Sequence, residues 1–68
     1  MQITKTIPQS GQFAVIWSYN GLTWAENWRW NNGKVEILEE NGDKEDWIVN
    51  DAYHSDGYKS LDLTFVVA

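Results

Sequence analysis

The sequence has no cysteine, and only one proline, one histidine and one methionine among its 68 residues. Without cysteine there is no disulfide framework and no thiolate site, a composition compatible with a reducing compartment. The single histidine, His54, lies beside Ser55 and Asp56. Neighbours in sequence do not make a catalytic triad, which is defined by geometry. Asp51, His54 and Asp56 match the spacing of no closed metal site. The glycines are accounted for as turn residues and not as a phosphate-binding loop. No enzymatic activity, cofactor or metal is therefore expected. No apolar run is long enough to cross a membrane. The opening Met1-Gln2-Ile3-Thr4-Lys5 lacks the basic-then-apolar order of a signal peptide, so a cytoplasmic location is expected.

Basic residues are also scarce: five Lys and Arg stand against ten Asp and Glu, for a net charge of −5. Binding nucleic acid directly through its phosphates requires clustered Lys and Arg, and the composition argues against it. The charge is unevenly placed. Residues 1–35 carry Lys5, Arg29 and Lys34 against Glu26 alone. Residues 36–56 carry Glu36, Glu39, Glu40, Asp43, Glu45, Asp46, Asp51 and Asp56 against Lys44 alone. A protein partner with a basic surface fits this balance, as does simple solubility.

What the chain has in abundance is tryptophan and turns. Trp17, Trp24, Trp28, Trp30 and Trp47 fall in segments divided by Asn20-Gly21, Asn32-Gly33 and Asn41-Gly42. An Asn-Gly pair between apolar runs signals a β-hairpin, because a type I′ turn needs φ > 0 at both central residues. The expected fold is all-β: a small single-domain antiparallel meander of five to six strands, curled towards a half-barrel, with at most one short helical turn. Strands are expected over 2–7, ended by Pro8, then 12–19, 22–30, a fourth after Gly33, 44–49 and 59–67, with the helical turn at 51–53. A helix over 23–31 is the alternative, with Trp24 and Trp28 four apart and Asn31-Asn32-Gly33 as its C-cap. The flanking hairpin turns, and the fit of Trp30 to a two-residue period, favour the strand.

Two-residue loops fix the register. Asn20-Gly21 pairs Tyr19 with Leu22, Trp17 with Trp24, Val15 with Glu26 and Phe13 with Trp28. Asn32-Gly33 pairs Trp30 with Val35, Arg29 with Glu36 and Trp28 with Ile37. Each apolar cross-strand pair contributes roughly 0.2–1 kcal/mol. Glu26 is the misfit on the apolar face, and a bulge, bend or strand break near Ala25-Glu26-Asn27 is expected to turn it outward. At the third turn, a loop that includes Asp43 is preferred. It places Trp47 opposite Ile37 and avoids setting the carboxylate of Asp46 there. The turns do not specify which strand the last one joins; pairing with the first or second would close or cover the sheet.

Three functional readings follow. In the first, Glu36, Glu39, Glu40, Asp43, Glu45 and Asp46 form a negative edge that engages a basic protein surface, with Trp24 and Trp30 as exposed anchors. By analogy with small acidic proteins of phages and mobile elements, this would be an inhibitor or decoy of a nucleic-acid-binding protein. Edge protection and solubility are the plainer explanation of the same charges. In the second, Trp24, Trp30 and Tyr19 form a carbohydrate platform. The stretch from Trp17 to Trp24 resembles the Tyr-Asn-Gly hairpin of small chitin-binding modules, without the adjacent tryptophans and Gly/Pro-containing loop that follow it there. In the third, the chain is a structural or oligomeric piece, with self-association as a homodimer through its aromatic face.

Overall fold

A computed structural model describes all 68 residues. Six strands form one antiparallel sheet: β1 (Gln2–Thr4), β2 (Gln12–Tyr19), β3 (Leu22–Asn31), β4 (Lys34–Asn41), β5 (Lys44–Val49) and β6 (Thr64–Val67). A single helical turn, α1 (Asp51–His54), follows β5. The spatial order is β1-β6-β2-β3-β4-β5, so the last strand lies between the first and the second, and the sheet does not close. No helix is long and apolar enough to cross a membrane.

The first two hairpins follow from their turns. Asn20 and Gly21 have φ of 52° and 76°, and Asn32 and Gly33 repeat those values, the type I′ pattern. The register runs unbroken from Tyr19↔Leu22 to Gln12↔Arg29, and from Asn31↔Lys34 to Trp28↔Ile37. Phe13, Val15, Trp28, Val35, Ile37 and Phe65 then bury one face of the sheet. Ile7, Tyr53, Tyr58 and Leu63 lie against them from the connecting segments. The packing is aromatic edge-to-face: the Trp28 ring centroid lies 5.0 Å from that of Tyr58, 5.6 Å from Tyr53 and 6.3 Å from Phe65. Such pairs add roughly 0.5–1.5 kcal/mol each beyond the area they bury, which matters in a domain with no covalent staple.

Four expectations need correction. The third turn is a two-residue loop of Gly42-Asp43, not one starting at Asn41. Gly42 takes φ 69° and Asp43 does not share its positive φ, as in a II′ turn. The register becomes Ile37↔Ile48 and Leu38↔Trp47. A one-residue shift reverses every side chain. Trp47 therefore leaves the buried face and joins Arg29, Glu36 and Leu38 on the other. Second, no bulge interrupts β2 and β3 at Glu26, which pairs with Val15 in register. What stops there is the β3–β4 ladder, whose last pair is Trp28↔Ile37. Beyond it β3 pairs only with β2 and β4 only with β5, so the sheet forks into two prongs. Third, β1 ends at Thr4 and not at 7, because Ile7 folds back onto the core. Fourth, β6 begins at Thr64 and not at 59; the residues before it form successive turns bonded Lys59 N to Asp56 O and Leu61 N to Tyr58 O.

Asn50 ties the lower edge together. It is the single buried polar residue. Its Oδ1 accepts from Tyr53 N at 3.1 Å, capping α1, and its Nδ2 donates to the Tyr58 hydroxyl at 3.4 Å. Its backbone N–H donates to Val35 O at 2.9 Å. His54 completes the junction: its Nε2 accepts from Val35 N at 2.9 Å, which requires a neutral imidazole with its proton on Nδ1. The histidine is thus a structural acceptor joining α1 to β4.

Candidate functional site

The two prongs differ in chemistry. The β4–β5 prong ends in charge. Glu39 stands directly opposite Asp46, and Glu40 directly opposite Glu45. Successive residues of a strand face opposite ways, so one like-charged pair lies on each face of the prong. All four side chains are exposed, as is Asp43 in the turn. Like charges directly across a ladder destabilise it. The local relief is slight: Asn41 Nδ2 donates to Asp46 Oδ2 at 3.4 Å, and Lys44 is the one cation of the prong.

Glu36 does not belong to this edge. Its side chain is 14% exposed, and Oε1 accepts from Arg29 Nε at 2.8 Å. The Arg29 guanidinium holds its carboxyl below the usual glutamate range, outweighing the desolvation that raises it. The guanidinium also lies 4.5 Å over the ring of Trp47. Arginine, glutamate and tryptophan here satisfy one another within the sheet.

The β2–β3 prong is aromatic and nearly uncharged. Trp17 and Trp24 are directly paired, as are Tyr19 and Leu22. Trp24 is 47% exposed and Tyr19 58%. Trp17, Tyr19 and Trp24, with Glu26, Gly57 and Leu61, line an open groove of about 480 Å³. Glu26 is half-buried between Trp24 and Trp28, where its Oε1 accepts from the Trp28 indole Nε1–H at 3.1 Å. No lysine or arginine lies within ion-pair distance of it; the two ion pairs of the chain are Lys5–Asp62 and Arg29–Glu36. Tyr58, behind the groove, has its hydroxyl pushed above the usual tyrosine range, first by burial. The Asn50 donor opposes that rise; the Glu26 carboxylate adds to it by its charge and as a hydrogen-bond acceptor for the hydroxyl, and Glu39 by its charge.

The sequence-derived residues thus fall into separate places. Glu39, Glu40, Asp43, Glu45 and Asp46 share one prong, and Trp24 stands exposed on the other. Trp30 is half-buried against the core, with its Nε1–H donating to Pro8 O at 2.6 Å, so it anchors the N-terminal loop. Trp17 and Glu26 belong to the groove and were not read as site residues. Their signal was the pairing of Trp17 with Trp24 beside a charge on an apolar face. No three His, Asp or Glu side chains are grouped to hold a metal ion. No protein-family model, curated protein or solved structure matches the chain.

Proposed function

We propose that this chain is a small non-enzymatic binding protein that engages a basic protein surface in the cytoplasm, through its acidic β4–β5 prong with Trp24 as an apolar anchor. The observation that carries the reading is the facing of Glu39 with Asp46 and of Glu40 with Glu45. A solvated edge needs charge, but it gains from mixed signs and loses from like charges held opposite one another. A partner that brings Lys and Arg between the carboxylates relieves that repulsion and is steered to the prong by its field. The natural target of such a surface is a groove that otherwise holds nucleic-acid phosphate, so the proposed action is that of an inhibitor or decoy.

The test is capture of a purified basic DNA-binding protein, compared across salt and in competition with duplex DNA. Capture should weaken steeply with salt, yield to DNA, and vanish when Glu39, Glu40 and Glu45 are all changed to Lys. Capture that survives those reversals overturns the proposal.

A further inference from the structure

We infer that the groove of Trp17, Tyr19, Trp24 and Glu26 is a receptor for a single arginine side chain, the guanidinium stacked on Trp24 and hydrogen-bonded to Glu26. The inference deepens the proposed function and rests on it for the source of the arginine, a basic protein partner.

The first argument is the position of Glu26. It pairs with Val15, which is fully buried, and shares its face with Trp24 and Trp28. An apolar residue would complete the alternation of β3. A carboxylate there must be desolvated in part, which is costly without a compensating partner. The chain supplies neutral donors, the indole of Trp28 and the hydroxyl of Tyr58, and no cation. The charge is left without a cationic partner inside an aromatic groove.

The second argument lies on the opposite face of the same sheet. There Arg29 stacks on Trp47 at 4.5 Å while its Nε bonds Glu36 at 2.8 Å. The groove presents two of these three parts, an indole and a carboxylate, and lacks the third. On one face of a strand, Trp24 and Glu26 are separated by roughly 6.6 Å. A guanidinium over the ring can turn its edge to the carboxylate across that distance. Arginine suits the geometry better than lysine, because its planar fork stacks and bonds at once. A neutral sugar would use the indoles and leave the charge of Glu26 unanswered.

The test is titration of the ¹⁵N-labelled full chain with Nα-acetyl-arginine amide, and in parallel with Nα-acetyl-citrulline amide, which keeps the shape and loses the charge. The arginine compound should shift the indole N–H signals of Trp17 and Trp24 saturably, leaving that of Trp30 in place. Citrulline should give no saturable shift. Glu26→Gln keeps an acceptor for Trp28 and should abolish the arginine response. Trp24→Ala, at an exposed position, should abolish it without touching the core. Equal response to citrulline, or a response unchanged in Glu26→Gln and Trp24→Ala, overturns the inference. So does a response to a soluble oligosaccharide alone. Loss of protein capture on reversing Glu39, Glu40 and Glu45, with no arginine response, removes the groove and leaves the proposed function standing. An arginine response with capture indifferent to those reversals removes the acidic prong instead.

Discussion

The indole N–H of Trp28 donates to Oε1 of Glu26, two residues before it on the same face of β3, over 3.1 Å. Trp28 is fully buried, so this is the only polar outlet for the largest side chain of the core. Glu26→Ala should leave that N–H unpaired and cost about 1–3 kcal/mol, a large share of the stability of so small a domain. Glu26→Gln should cost less, since its amide oxygen accepts the same bond. Urea unfolding of the two variants compares them directly.

The Glu36–Arg29 pair sets an acid limit. A carboxyl held below its unfolded value stabilises the fold above the ordinary glutamate range, and that contribution is lost as pH falls through the lowered value. Glu36→Gln should therefore be less stable than the parent near neutrality and lose less on acidification. Thermal melts followed over that descent should show the two curves converging.

The facing carboxylates predict an inverse salt effect. Screening weakens repulsion between exposed charges, so added salt should stabilise the parent protein. Asp46→Lys, which turns the Glu39↔Asp46 pair into an attractive one, should gain roughly 0.2–1 kcal/mol at low salt and lose that gain at high salt. The same variant should bind a basic partner less well, so stability and affinity should move in opposite directions.

Gly57 sits where a side chain has no room. A Cβ there would lie 2.8 Å from the backbone oxygen of Ala52, which also accepts the Gly57 N–H. Gly57→Ala should displace the turn that follows α1 and disturb Tyr58 next to it. A lowered melting temperature, with a changed near-ultraviolet signal from the Trp28–Tyr58 pair, is the expected result.

Asn50→Ala removes both the cap of α1 and the donor to Tyr58, and should cost about 1–3 kcal/mol. Asn50→Asp keeps the cap, loses the donor and places a charge in a buried position, so it should be no better than alanine at neutral pH. Chemical denaturation ranks the three proteins.

Much of this architecture was legible because two turns carry their own geometry. Asn20-Gly21 and Asn32-Gly33 demand positive φ at both central positions, and the registers of three strands follow from that alone. Asn41-Gly42 misled because the same dipeptide serves another turn, with Gly42 first of the central pair. A carboxylate opposite Ile37 would be costly, and the fold avoids it by bringing Ile48 there. The shorter loop sets Trp47 on the face of Arg29, whose guanidinium lies over its ring. The groove was harder to read. It needs Gly57 and Leu61 brought across the β2–β3 prong, and no local pattern specifies that tertiary approach. The half-burial of Trp30 is equally non-local, since its partner, the carbonyl of Pro8, lies 22 residues away.

The fork in the sheet has a consequence for timing. The root, where Trp28 pairs with Ile37, is bonded on both sides; beyond it the β4–β5 prong holds on by one ladder, while the β2–β3 prong is also paired with β6 as far as Ile16. The two should therefore open separately, and backbone amides of the acidic prong should exchange with solvent sooner than those of the root. A partner that settles between Glu39 and Asp46 would slow that exchange. Association would then be measured in part as the ordering of a strand pair that, alone, spends some of its time apart.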